Sequence, residues 1–353
     1  MLSRTADHLF WMARYMERAE NTARMLDVNY QTSLLPQSAD RAEEGWAGVL
    51  GISELTHAFH QRHDRIDAKS VLHFMVRDAT NPSSIVSCIG AARENARAVR
   101  GTLTTEVWET TNATWLEFSR MLRDGAFERD PASVFEWVKF RSHLSRGVSV
   151  GTMLLDEALH FIRIGTFLER GDNTARLLDV KFHALAGDYF GAWGDEAAPE
   201  VDFYHWSAIL RSVSGFEIYR KVYRNVIRPD KVAELLILRP DMPRSLAASM
   251  NGMFENLTLV ANEHSGETQR RAGRLRSDLQ FGRIDEILQT GLYAYLTQFL
   301  DRINDIGAGI AGEQSELVTD AHPHVVDRER DILDAREAHV LPFAAHEQPA
   351  QQG

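Results

Sequence analysis

The segment MERAENTARMLDV, from Met16 to Val28, returns as LERGDNTARLLDV from Leu168 to Val180, 152 positions later. Nothing else in the chain restricts the fold as strongly, because both copies must find similar surroundings. The correspondence extends beyond the thirteen residues. His8 matches His160 at the same offset, and Trp46 matches Trp206 at 160. With a slip to about 161, SSIVSCIGAARENA (83–96) aligns with RSLAASMNGMFENL (244–257). That alignment sets Ser84 against Ser245 and Glu94-Asn95 against Glu255-Asn256. A period this long is not that of a solenoid, whose repeats run to roughly 20–50 residues. Residues 1–150 and 151–311 therefore read as two copies of one helical unit. Two such halves are expected to pack about a pseudo-twofold axis, with equivalent surfaces facing each other.

Almost every long segment repeats its apolar residues at helical spacing, and no stretch alternates convincingly as a strand would. Proline and glycine gather at breaks: near 34–40, 185–200, 225–231 and 239–245. Asn81-Pro82 and Asp130-Pro131 each read as a capping residue before a proline at the first helical position. The fold class is therefore all-α, a helical bundle built from two tandem pseudo-symmetric halves. The 353 residues suit two domain-sized units and a large core without staples. Past Gly312 the composition changes. Residues 313–353 carry nine acidic residues and three arginines, −6 of the net charge of −11. This segment, 312–353, reads as an acidic, loosely ordered tail. A second reading makes VVDRERDILDAREAHVLPF (325–343) a short amphipathic helix that docks on a partner or on the bundle.

The net charge of −11 argues against general affinity for nucleic acid. No apolar run approaches the roughly 20 residues that cross a bilayer. The first residues lack the apolar core and cleavage site of a signal peptide. One cysteine, Cys88, allows no intrachain disulfide and suits a reducing compartment. A cytoplasmic location follows as the expectation. No phosphate loop, strand-linked Gly-x-Gly-x-x-Gly, Cys-x-x-Cys or His-Glu-x-x-His occurs. His57, His60 and His63 drift around a helix and do not face one metal well. No pair of inner helices offers the Glu-x-x-His motif of a di-iron bundle. No cofactor and no metal are expected. Cys88 stands where the second copy has Ser249, and it reads as a small buried residue rather than a nucleophile.

At 100° per residue, Glu17, Asn21, Arg24 and Val28 share one stripe of a helix; Glu169, Asn173, Arg176 and Val180 share the matching one. Met12, Met16, Ala19, Ala23 and Leu26 lie opposite, as do Ile164, Leu168, Gly171, Ala175 and Leu178. Small residues four apart, Ala19/Ala23 and Gly171/Ala175, let a neighbouring helix come close. A mid-helix glycine costs about 1 kcal/mol against alanine, so Gly171 implies a packing reason. Glu20–Arg24 and Asp172–Arg176 are i,i+4 ion pairs worth about 0.2–0.5 kcal/mol. Such pairs alone do not account for a Glu-Arg-x-x-Asn pattern written twice. Three readings stay open. The stripe is a surface ladder; or a buried network in which each Glu accepts from an Arg of the other half; or a ligand site for a zwitterionic or carboxylate-bearing molecule. The candidate ligand-binding or assembly face comprises Glu17, Arg18, Asn21, Arg24, Glu169, Arg170, Asn173 and Arg176. Secondary candidates are Arg93, Glu94 and Asn95, in a stretch that also lines up Arg97 and Arg100.

LFWMARYMERAENTARMLDV, NPSSIVSCIGAARENARAVRG and FLERGDNTARLLDV together resemble the bacterial alpha-E domain family, over about residues 1–311. The resemblance maps that family's Glu-Arg motif onto Glu17-Arg18 and Glu169-Arg170. It implies a circularly permuted ATP-grasp protein as partner, with transglutaminase-like or proteasome-like peptidases in the same setting. ATP-grasp ligases join a carboxylate to an amine through an acylphosphate. The expectation that follows is an accessory or substrate-handling subunit of an ATP-grasp-dependent amide- or peptide-forming system. Two alternatives stand beside it. One is a transferase-like enzyme acting on the ligase product, with Glu17 or Glu169 as general base and Arg24 or Arg176 on a carboxylate. The other is a structural scaffold that uses the acidic tail as its contact.

Overall fold

Capping chemistry fixes where several of the helices begin. In the computed structural model Ser84 and Ser245, at equivalent positions, accept hydrogen bonds from the backbone N–H three residues on, at 3.2 and 2.9 Å. Asp130 accepts from Ser133 N at 3.2 Å with Pro131 at the first helical position, as its sequence predicts. Asn81-Pro82 departs from the same expectation. The helix that follows starts at Ile85 under the Ser84 cap. Asn81 instead closes a turn, accepting from Ser83 N at 3.0 Å and donating to the Phe74 carbonyl at 3.1 Å. An Asn side chain can satisfy a turn as readily as a helix end, and Ser84 lies closer to the helix.

The structure describes the backbone of residues 1–36, 38–189, 199–263 and 265–319, and their side chains apart from 181–189, 199–205 and 312–319. All regular structure among these residues is helical. The first eight helices are α1 (Ser3–Ser33), α2 (Ala39–Ile52), α3 (Thr56–His60), α4 (Ala68–Val76), α5 (Ile85–Ala98), α6 (Thr105–Arg123), α7 (Ala126–Arg129) and α8 (Pro131–Thr152). Then come α9 (Glu157–Tyr189), α10 (Pro199–Ser212), α11 (Phe216–Tyr223), α12 (Pro229–Ile237), α13 (Leu246–Leu259), α14 (Gly266–Phe281), α15 (Ile284–Thr290) and α16 (Leu292–Thr319). The break at 239–245 falls between helices, as read from the sequence, while the break at 225–231 runs into α12, which opens at Pro229. The change in composition at 312 does not mark a structural end, because α16 runs on to Thr319. The proposed helix at 325–343 lies outside the described residues.

The two long repeated helices, α1 and α9, lie against each other at the centre. Their neighbours come in matching sets. α5 and α8 pack on α1, and α13 and α16 pack on α9; α6 joins α5 to α8, and α14 joins α13 to α16. α2 reaches across to α9 and α10 reaches across to α1. Trp46 and Trp206 are both fully buried. Gly165 explains how closely the central pair meets. A Cβ there would run into the Phe10 carbonyl oxygen of α1 and stand 3.3 Å from Ala13 Cβ. Gly171 shows its packing reason too: a Cβ would meet Ile303 of α16 at 3.1 Å and Ser249 of α13 at 3.4 Å. With helices on every side, α1 is buried around most of its circumference between Leu9 and Leu26.

Candidate functional site

That all-round burial decides the character of the repeated polar stripe. It is not a solvated ladder. Glu17, Glu20, Asn21 and Arg24 of α1 and Glu169 of α9 are all buried, with Glu17 at 1 % exposure and Glu20 at 0 %. A buried carboxylate is costly unless paired and hydrogen-bonded, and here each finds arginines. The pairing crosses between the helices reciprocally. Arg170 donates to both oxygens of Glu17, Nε to Oε1 at 2.9 Å and Nη2 to Oε2 at 3.0 Å. Arg18 donates likewise to Glu169, Nε to Oε1 at 2.5 Å and Nη2 to Oε2 at 3.1 Å. Each Glu of the twice-written motif thus accepts two parallel bonds from the Arg of the other copy, the bidentate geometry peculiar to guanidinium.

The next helical turn repeats the exchange. Glu20 pairs with Arg24 at 2.7 Å and Asp172 with Arg176 at 2.8 Å, both at i,i+4 as expected. Arg24 then reaches over to the Ser214 hydroxyl at 2.6 Å, while Arg176 reaches over to the Glu54 carboxylate. Ser214 and Glu54 follow α10 and α2 respectively, and both hold a positive φ, 53° and 56°. A left-handed non-glycine residue is uncommon, and here it recurs at matching places. A second matched pair clamps the outer helices. His8 Nδ1 meets Asn95 Oδ1 at 2.8 Å, and His160 Nδ1 meets Asn256 Oδ1 at 2.8 Å. Each Asn also donates to the carbonyl four residues back.

Three arginines and a serine outside the thirteen-residue repeat complete the network. Arg14 donates to Glu169 at 2.8 Å. Arg146 of α8 donates to Glu17 at 2.8 Å and to Glu20 at 2.5 Å, and Ser142 donates to Glu20 at 2.7 Å. Arg244, just before α13, donates to Glu17 at 3.0 Å, to Asn21 Oδ1 at 2.7 Å and to Glu20. Arg244 heads the repeated block RSLAASMNGMFENL, opposite Ser83, so its place beside the motif was open to reading. Arg146 carried no such signal, since it sits in no aligned block. Asn173 stays apart from the network: it is half-buried and its side chain makes no hydrogen bond to the described residues. Arg93 and Glu94 pair with each other on the surface, and Arg93 also bonds Asn112 at 2.8 Å. Of the secondary candidates only Asn95 touches α1, through His8.

Burial alone would raise the carboxyl of Glu17, but Arg170, Arg244 and Arg146 outweigh it and hold the group below the usual carboxylate range. Glu169 is likewise pulled down to about 2, with Arg18 and Arg14 prevailing over burial. Glu20 is lowered against its burial by His143, Arg244 and Arg146. Asp172 goes the other way, raised by burial and by Glu169 against the pull of Arg176. The three glutamates are fixed as acceptors. A general base must take a substrate proton, whereas Glu17 already accepts four arginine hydrogen bonds and Glu169 three, which hold both in the charged, acceptor state. Cys88 is fully buried, and burial pushes its thiol up to about 12. No group of three or more His, Cys, Asp or Glu among the described residues could hold a metal. Nor is any helix there long and apolar enough to cross a membrane.

Fold and site together define an all-helical protein organised on a buried, reciprocal Glu-Arg interlock. The chain belongs to the Alpha-E family, described as "a predicted alpha-helical domain with a conserved ER motif", whose profile matches residues 1–313. The chain is 26% identical over 330 residues to uncharacterized protein Mb2597 of Mycobacterium bovis, a match covering 85% of this chain and 35% of that protein. The same figures hold for uncharacterized protein MT2643 of Mycobacterium tuberculosis. The chain therefore spans about a third of the length of the curated relatives it matches. No solved structure matches it.

Proposed function

We propose that this protein is an accessory or substrate-handling subunit of an ATP-grasp-dependent amide- or peptide-forming system, built by tandem duplication of one helical unit. The observation that carries the accessory role is the state of the motif glutamates. They are buried, doubly hydrogen-bonded and locked to arginines of the other copy. That arrangement suits a part that fixes a geometry, and it speaks against Glu17 or Glu169 as the general base of a stand-alone transferase. The duplication is supported by the matched neighbours of α1 and α9 and by the paired His–Asn clamps. In the mycobacterial relatives a region of this kind occupies 35% of a longer protein, which agrees with a unit that works beside others. The partner comes from the family resemblance: a circularly permuted ATP-grasp protein, with a transglutaminase-like or proteasome-like peptidase as a further associate.

The test is native purification of the tagged chain from its own cells, with mass spectrometry of what accompanies it. ATP turnover of any recovered ATP-grasp protein is then measured with and without the chain. Recovery at comparable stoichiometry, with turnover changed severalfold by the chain, is the expected result. A chain that elutes alone and leaves the ligase's turnover unaltered would overturn the reading.

A further inference from the structure

Between Glu136 and Asp156 no exposed position carries a carboxylate, a lysine or an arginine. The three basic residues in that interval turn inward, Lys139 to Asp27, Arg141 to Thr114 and Arg146 to Glu17. What remains outside is mostly apolar or small. Phe140 is 62 % exposed, Val150 57 %, Leu154 79 % and Leu155 70 %. Gly147 and Gly151 lie among them, with nothing within 4 Å of where a Cβ would stand. At 100° per residue, Phe140, His143, Gly147, Val150 and Gly151 form one stripe of α8, and Leu154 and Leu155 extend it past the helix end. α16 packs on α9 as α8 packs on α1, yet it exposes Thr297, Gln298, Asp301, Asn304 and Asp305. The bundle therefore does not require an apolar outer face at this place, and α8 has a reason of its own.

A continuous exposed apolar stripe marks an interaction surface. Its size suits one helix laid against another. α8 has 22 residues, so the strip is about 33 Å long, and the outward half of a helix about 10–12 Å across gives it on the order of 600 Å². Two copies face to face would cover roughly 1,200 Å², above the ~1,000 Å² that marks a specific contact. Charge points to the same occupant. Each chain carries −11, so two copies repel, and they meet at least cost where neither presents a charge. The spacing is also self-complementary. Phe140 and Leu154 each stand seven residues from Gly147, and His143 and Gly151 each stand four from it. In an antiparallel pair centred on Gly147, Phe140 of one copy meets Leu154 of the other, and His143 meets the open space at Gly151.

We propose that the chain forms a homodimer through α8, antiparallel about a twofold axis at Gly147, so that one stripe serves both copies. The glycines bring the helices to the short end of the range of about 8–10 Å between packed axes, and alanine at 147 is small enough to keep that approach. The contact also covers His143 and Arg146, where the interlock reaches the surface at 53 % and 29 % side-chain exposure. The dimer does not rest on the accessory-subunit reading: ATP turnover of a partner tests that one, and the mass of the chain in solution tests this one.

Sedimentation velocity of the purified full chain at micromolar concentrations is expected to show a species of twice the chain mass. Phe140→Glu and Val150→Glu each set a charge into the stripe and are expected to weaken self-association at least tenfold. Their circular dichroism should match the parent, since both side chains are exposed in the single chain. Thr297→Glu, on the corresponding face of α16, is expected to leave self-association within twofold of the parent. Gly147→Cys is expected to form a disulfide between copies on oxidation, whereas Ser133→Cys, at the far end of α8, is expected to form none. Cys88 is buried and stays out of that reaction. This cross-link decides the pairing even if a glutamate variant unfolds. The proposal is overturned if the chain sediments as a monomer at these concentrations, whether or not another protein binds α8. It is equally overturned if the dimer survives both glutamate variants, or if Ser133→Cys cross-links as readily as Gly147→Cys.

Discussion

Glu169→Gln puts the energetics of the interlock to a direct test, because glutamine imitates the protonated acid without changing shape. In the folded chain the Glu169 carboxyl sits at about 2, against an unperturbed 4.5. Each pH unit of depression is worth about 1.4 kcal/mol, so the charged form contributes about 3 kcal/mol. The general cost of breaking a buried ion pair from one side is of the same order, about 3–5 kcal/mol. A depressed carboxyl stabilises the fold above its unfolded value and loses that contribution as pH falls toward the folded one. The penalty of Glu169→Gln is therefore expected to be about 3 kcal/mol at pH 7 and to shrink steadily between roughly pH 4.5 and 2, where the parent carboxyl becomes neutral itself. Asp172, raised by burial and by Glu169, adds a slope of opposite sign that is smaller in the variant, which lacks the Glu169 charge, so Asp172→Asn is placed in both backgrounds and the difference between those two proteins is followed. Urea unfolding monitored by circular dichroism at pH 7, 4 and 3 measures it. A variant within 0.5 kcal/mol of the parent at pH 7, or a penalty that does not change with pH, would refute the assignment of Glu169 as a charged keystone.

Three further outcomes are expected. Gly165→Ala should lower stability by about 1–3 kcal/mol, since its Cβ would strike the α1 backbone, whereas Gly147→Ala, with nothing within 4 Å, should be neutral or stabilising in thermal melts. A double-mutant cycle of Glu17→Gln and Arg170→Ala should return a coupling of about 0.5–3 kcal/mol; additivity would mean that the bidentate pair contributes nothing of its own. Cys88 should resist a thiol reagent at pH 8 in the folded protein and react with one equivalent in denaturant, because burial withholds the thiolate.

Much of the architecture was legible before any coordinates. Helical periodicity foretold an all-α chain. The cap at Asp130-Pro131 and the break at 239–245 fell where local chemistry put them. Local signals have short range, and these were sufficient because capping and turn formation are decided within a few residues. Asn81-Pro82 failed for the same reason, as two local solutions competed and the nearer Ser84 prevailed. The small residues foretold close packing, and Gly171 met it.

The fate of the polar stripe was not legible. A helical wheel places Glu17, Asn21 and Arg24 together but does not say whether water or another helix faces them. Glu17 and Arg170 are 153 residues apart, and Arg146 of α8 and Arg244 of the turn before α13 come from segments whose approach depends on the whole bundle. The repetition itself was a property of the sequence. That the Glu of one copy is held by the Arg of the other arises only where α1, α8, α9 and the start of α13 converge. Charge balance is a sum over neighbours in space, and sequence order alone does not list those neighbours.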